Sequence, residues 1–155
     1  MKSWRGLKKA MANKSVKLHV ITPSKMFYEG DIELVIVRTH SGEEGFMANH
    51  AWGVKLLDVG KLWIKEFGAK EFKVAAVSGG FIDVMDEIVI YTDSAEWPED
   101  IDTERAAAEK TNAEEWLLEN KNNKDTNPED IARAKVSVAR QKVRVSVANN
   151  ENRRR

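Results

Sequence analysis

The chain has no cysteine at all. It can therefore form no disulfide, offer no thiol nucleophile and build no thiolate metal site, a composition that fits a reducing compartment. It has no net charge either: Lys plus Arg number 25, and so do Asp plus Glu. No overall field recruits nucleic acid or an acidic partner. No apolar run approaches the length of a membrane span, which leaves peripheral association as the membrane option. Proline is down to three residues, and glycine is missing from a whole region. All nine glycines lie at or before Gly80, and residues 101–155 contain none. Glycine serves hairpins and sharp turns because it accepts φ > 0 without steric cost. A glycine-free, alanine- and charge-rich stretch suits long helices instead. The distribution predicts a turn-rich β module followed by a helical one, joined near Pro98.

Within the first module, Val16, Leu18 and Val20 alternate with Lys17 and His19, the pattern of a strand with one wet face, closed by Thr22-Pro23-Ser24. Further strands are predicted over residues 26–28, 32–37, 54–57, 62–67, 72–77, 81–84 and 88–92. Turns are predicted at Glu29-Gly30-Asp31, Asp58-Val59-Gly60, Gly68-Ala69, Ser78-Gly79-Gly80 and Asp86-Glu87, with a polar loop over 40–45. Short strands this closely spaced favour an antiparallel sandwich or barrel, because parallel strands need long crossovers.

After Thr92 the period changes. Residues 96–100 form an acidic linker containing Pro98, and Asp102 is placed to cap a helix over 103–120. On it Ala106, Ala113 and Leu117 share a face, with Trp116 and Leu118 beside them. Residues 121–126 are an asparagine-rich connector. Asn127 then caps, Pro128 takes the first helical position, and Glu129 and Asp130 complement the dipole. The second helix spans 128–148, with Ile131, Ala134, Val138, Val145 and Ala148 at heptad-like spacing. Val143 to Val147 alternates like a strand, but the caps and the spacing from Ile131 decide for helix. The organisation is a poorly ordered basic extension (1–14), a β-sandwich domain (15–95), a linker (96–100), a helical hairpin domain (101–148) and a disordered tail (149–155). The fold class is α+β: an N-terminal antiparallel β-sandwich with a C-terminal two-helix antiparallel hairpin.

The neutral total hides a local bias. Lys2, Arg5, Lys8, Lys9, Lys14, Lys17 and Lys25 all precede the first acidic residue, Glu29. Trp4, Leu7 and Met11 fall at i, i+3, i+7. The extension reads as a solvated terminus; the alternatives are a short basic amphipathic helix at a membrane surface, or a start at Met11 with residues 1–10 outside the native protein.

Catalytic constellations are hard to find. His19, His40 and His50 lack metal-ligand spacing to one another, so no metal site is expected. Ser78-Gly79-Gly80 lacks the flanking glycines of a nucleophile elbow and the lysine and following helix of a phosphate loop, and reads as a hairpin turn. Asp83, Asp86 and Glu87 cluster at a turn, where acids are ordinary. The β module reads as a platform. The helices carry more: Arg133, Arg140 and Arg144 at i, i+7, i+11 form one basic stripe. That stripe is either a solvated face or a docking edge for carboxylates or phosphates.

The order of segments resembles the epsilon subunit of bacterial F-type ATP synthases. The residues that carry the resemblance are Val16-Lys17-Leu18-His19-Val20-Ile21-Thr22-Pro23, Ser41-Gly42-Glu43-Glu44-Gly45, Asn49-His50-Ala51, Val77-Ser78-Gly79-Gly80-Phe81 and Ile101-Asp102-Thr103-Glu104-Arg105-Ala106. It covers residues 15–148. The resemblance implies a non-catalytic rotor subunit of the central stalk, with no required cofactor, peripheral on the cytoplasmic face of the bacterial cell membrane. Its sandwich would bind the gamma subunit and rest on the c-ring. Its hairpin would extend to the alpha and beta subunits of the catalytic head and inhibit ATP hydrolysis, with Arg133, Arg140 and Arg144 meeting acidic surface there. The resemblance also implies regulatory ATP. Ile101, Asp102, Arg105 and Ala106 match the motif of nucleotide-binding members, and Arg140 and Arg144 fall where their second-helix arginines assist. Asn112 replaces a first-helix arginine of those members, and Met47-Ala48-Asn49-His50 replaces a frequent Leu-Pro-Gly-His. The competing reading is a free-standing β-sandwich adaptor whose helix pair binds a protein partner; an enzyme is the weakest reading, for want of a site.

Overall fold

The computed structural model describes residues 14–151. The expectations for residues 1–13 and 152–155 lie outside the described residues. The chain divides into two compact units at Ala95/Glu96, and each is taken in turn.

The first unit is built from β1 (Val16–Ile21), β2 (Met26–Thr39), β3 (Gly42–Phe46), β4 (Gly53–Glu66), β5 (Lys73–Val84), β6 (Ile88–Tyr91) and the two-residue β7 (Ala95–Glu96), whose Glu96 begins the second unit. The alternation read in β1 is real: its even-numbered residues are buried and its odd-numbered ones half-exposed. The order β1-β6-β5-β4-β2 closes on itself because β1 also pairs β2, and β3 attaches to β2. β2 makes the closure possible by changing partner along its length. Residues 26–32 pair with β1, and from Ile32 onward the strand pairs with β4. All these pairings are antiparallel except β1–β6, which run parallel. Leu18, Val20, Ile32, Val35, Leu62, Ile64, Ile82, Ile88 and Ile90 fill the interior with no solvent contact. Each such aliphatic side chain contributes about 1.5–3 kcal/mol relative to an exposed one.

Three predicted turns and one predicted loop are corrected. β2 runs unbroken through Glu29-Gly30-Asp31, and β4 through Asp58-Val59-Gly60. Their glycines are there for packing. A Cβ on Gly30 would meet the Tyr28 hydroxyl at 2.6 Å, and one on Gly60 the Arg38 Cβ at 2.8 Å. Glu29 and Asp31 face His19 and Lys17 across the β1–β2 ladder, so the acids are cross-strand partners. Ser78-Gly79-Gly80 is a kink inside β5, with φ of 79° and 108° at the two glycines. Any side chain at Gly80 would collide with the Tyr91 carbonyl of the neighbouring strand. Within the predicted loop over 40–45, residues 42–45 belong to the polar edge strand β3. The Thr39 hydroxyl donates to the Gly42 carbonyl (3.2 Å) or the Glu44 carboxylate (3.1 Å).

The second unit opens with a 3-10 turn over Pro98–Asp100, followed by α1 (Thr103–Asn120) and α2 (Pro128–Ala148). The caps are as read from sequence. The Asp102 carboxylate accepts from the Arg105 amide (3.0 Å), and the Asn127 side chain accepts from the Glu129 amide (2.9 Å) with Pro128 next. The valine-rich end of α2 is helical, with Val147 fully buried.

Candidate functional site

The residues singled out for anion recognition sit on the helical unit, whose two helices pack antiparallel, so the start of α1 lies beside the end of α2. Starting from the Asp102 cap, a chain of hydrogen bonds crosses that open end of the hairpin. Arg105 donates from Nε to Glu109 (2.8 Å), one helical turn further on. Glu109 accepts from the Gln141 amide on α2 (2.9 Å). The Gln141 carbonyl in turn accepts from Arg144 Nη1 (2.8 Å), and Arg144 Nε donates to Glu96 (3.1 Å). Gln141 is only 4 % exposed, so both ends of its amide must be satisfied inside the protein. The Glu109 hydrogen bond, and then its charge, raise the Arg105 guanidinium above its ordinary range and hold it protonated.

Asp102, Arg105 and Arg144 are thus linked in one network, through Glu109, Gln141 and Glu96, which the sequence reading had not singled out. A signal for two of them existed: Glu109 stands four residues after Arg105, and Gln141 three before Arg144, spacings that place side chains together on a helix. The fourth expected residue, Arg140, is outside the network. It is exposed and makes no ion pair among the described residues. The stripe is therefore split. Arg133 and Arg140 project to solvent beside the exposed Val136, with Ala132 and Ser137 completing a shallow groove on α2. Arg133 keeps only a long contact to Asp130 (3.8 Å), whereas Arg144 is turned inward to Glu96.

On the sandwich, Leu56, Phe81 and Tyr91 stand side by side across β4, β5 and β6 and are exposed. The Phe81 and Tyr91 rings stack at 4.8 Å. Val54 continues the row along β4, two residues from Leu56 and so on the same face. Adjacent exposed apolar side chains of this kind mark an interaction surface.

The histidines stay apart: His19 bonds Glu87 (3.1 Å), His40 bonds Asp58 (3.0 Å) and His50 lies against the Phe46 ring (4.8 Å). No group of three metal-ligating side chains occurs among the described residues, and no described helix is long and apolar enough to cross a membrane. The segment Met47-Ala48-Asn49-His50 is a turn closed by the His50 amide donating to the Met47 carbonyl (3.2 Å), with Asn49 at φ 64°. A turn with positive φ at its third residue favours Pro-Gly at the centre, with Asn the next choice for the glycine. Ala48-Asn49 thus suits the same turn as the Pro-Gly of the resembling family.

Comparison with known proteins agrees with both units. A model of the ATP synthase delta/epsilon chain β-sandwich domain matches residues 15–98, and one of the delta/epsilon chain long α-helix domain matches residues 99–149. The ATP synthase epsilon chain of Bacillus velezensis is 42% identical over 138 residues, covering 88% of this chain and 99% of that one. That of Alkaliphilus oremlandii is 45% identical over 102 residues, covering 65% and 75%. Among solved structures, a chain of the Euglena gracilis mitochondrial ATP synthase (OSCP, F1 and c-ring) superimposes with a TM-score of 0.68. It is 22% identical and covers 83% of this chain and 78% of that one, a likeness of fold.

Proposed function

This chain belongs to the epsilon-chain family of F-type ATP synthases, and from that membership we propose that it is a non-catalytic rotor subunit whose sandwich docks on gamma and the c-ring and whose hairpin restrains ATP hydrolysis. It works at the cytoplasmic face of the bacterial cell membrane, held there through the complex. The observation that carries the reading is the division of labour between the two units. One is a closed sandwich with an exposed apolar row, Val54, Leu56, Phe81 and Tyr91. The other is a helical hairpin joined across its open end by a polar network.

An apolar row on a rigid ladder suits permanent attachment to gamma, since burial of such side chains drives association without needing mobile partners. The hairpin suits a switch. Polar links between partly exposed groups are each worth about 1 kcal/mol net, so the arrangement can be exchanged for another at modest cost. The exposed Arg133 and Arg140 would meet acidic surface of the alpha and beta subunits, and Arg144 would join them once released from Glu96. Regulatory ATP fits as an effector. Its phosphates would have to displace Glu109 from Arg105 and Glu96 from Arg144, while Arg140 is free to receive them, so binding is weak.

Co-purification tests the attachment. The full chain is expected to bring down gamma and c-ring, and Leu56→Lys with Tyr91→Lys to lose gamma while keeping a native circular-dichroism spectrum. Retention of gamma by that folded variant would place the interface elsewhere. Calorimetry with millimolar ATP tests the effector: heat abolished by Arg105→Ala is expected, and absence of heat would leave Asp102 and Arg105 as a helix start.

A further inference from the structure

Glu109 holds two partners with one carboxylate. Its Oε1 accepts from Arg105 Nε (2.8 Å), and its Oε2 accepts from the Gln141 amide (2.9 Å). The two partners differ in how easily they let go. Arg105 is exposed, and an exposed ion pair one helical turn apart exchanges readily for water or for another anion. Gln141 is buried, so its amide donor has no water to turn to and releasing it is costly. Arg105 can therefore leave Glu109, whereas Gln141 keeps Glu109 where it is. The open end of the hairpin thus carries a negative charge that does not swing away when its cation is taken.

We propose, on the reading that ATP is a regulatory ligand of this end, that Glu109 is a built-in competitor of phosphate, fixed in place by Gln141, and that its charge sets how weakly ATP binds. The opposition outlasts the displacement, because the freed carboxylate stays beside the phosphates that replace it on Arg105. The other acids here do not share this arrangement. Glu96 has Arg144 as its one side-chain partner among the described residues and can turn away once that pair opens. Glu104, next to Arg105 in sequence, faces a different side of the helix. The remaining acids of α1 begin at Glu114, more than a turn beyond Glu109.

Calorimetry of ATP with the full chain, Glu109→Gln and Glu115→Gln tests this. Both variants remove the same charge from the same helix. Glutamine at position 109 keeps a carbonyl for the Gln141 amide, so the hairpin stays tied. A unit charge a few ångströms from a polyanion in a partly solvated site changes its affinity by about three- to tenfold. ATP is expected to bind Glu109→Gln tighter by that factor. Glu115 is exposed, and about 15 Å of helix separates it from Arg105, beyond a Debye length of about 8 Å, so its variant should match the parent. Amide exchange in α1 and α2 of Glu109→Gln should equal the parent's, which assigns the gain to the charge. Equal affinity in all three chains, an equal gain in both variants, or a gain accompanied by lost helix protection would each overturn the competitor. Absence of heat in all three at millimolar ATP would be a different failure: it would remove the ATP reading itself, and the competitor with it.

Discussion

Replacing Gln141 by Leu removes the bridge between the two helices while nearly preserving side-chain volume. In the folded hairpin the Gln141 amide donates to Glu109 at 2.9 Å and accepts from Arg144 at 2.8 Å. A hydrogen bond to a charged group is worth about 1.5–3 kcal/mol when well shielded. Here the shielding is incomplete: the side chains of Glu109 and Arg144 are 39 % and 17 % exposed, and each retains a second partner, Arg105 and Glu96. The buried leucine recovers some of the loss through the hydrophobic effect. The net cost expected is about 1–2 kcal/mol, a factor of about 5–30 in the opening equilibrium. Amide hydrogen exchange of the full chain reads this directly. Protection in α1 and α2 is expected to fall by that factor, while β1, β4 and β5 stay unchanged because Glu109, Gln141 and Arg144 all belong to the helical unit. Unaltered protection in both helices would refute the network as a tie. A matching loss in the strands would refute the confinement of the tie to the helical unit.

Gly80→Ala is expected to cost about 3 kcal/mol or more, since the added methyl meets the Tyr91 carbonyl and φ is 108°. Thermal unfolding should show Tm lower by over ~10 °C, and a shift within error would contradict the packing account. Glu66 is held below its ordinary carboxyl value of 4.5, first by the hydrogen bond from Lys73 and then by that from Tyr28, against some desolvation. Its folded pKa is depressed, so its contribution is present above the unfolded pKa and is lost as the pH falls through the folded one. Glu66→Gln should therefore lower stability at pH 7 and flatten the acid limb below about pH 4.5. Parallel pH–stability curves would be the contrary outcome. Asn49→Gly should stay within about 1 kcal/mol of the parent, and Asn49→Val should be clearly worse, because φ of 64° disfavours a β-branched side chain.

What could be read from the sequence was local. Asp102, Asn127 and Pro128 announce helix starts through interactions spanning two or three residues, and all three perform as expected. The valines at the end of α2 alternate like a strand, yet the helix that Asn127 and Ile131 set in phase continues to Ala148. Glycine misled where its cause was tertiary. Gly30, Gly60 and Gly80 answer to Tyr28, Arg38 and Tyr91, and only the folded ladder brings those atoms near. β3 escaped detection because an edge strand of Gly and Glu shows no apolar alternation. The arginine stripe shared this limit: spacing placed Arg133, Arg140 and Arg144 on one line, but the inward turn of Arg144 depends on Glu96, forty-eight residues away.

The claim that the helical unit restrains hydrolysis is tested most directly by the ATPase rate of the assembled enzyme. The comparison is between complexes carrying the full chain and complexes carrying a chain that ends at Asp100. The account predicts faster hydrolysis without residues 101–155, with gamma and c-ring still co-purifying. Full assembly with an unchanged rate would contradict it.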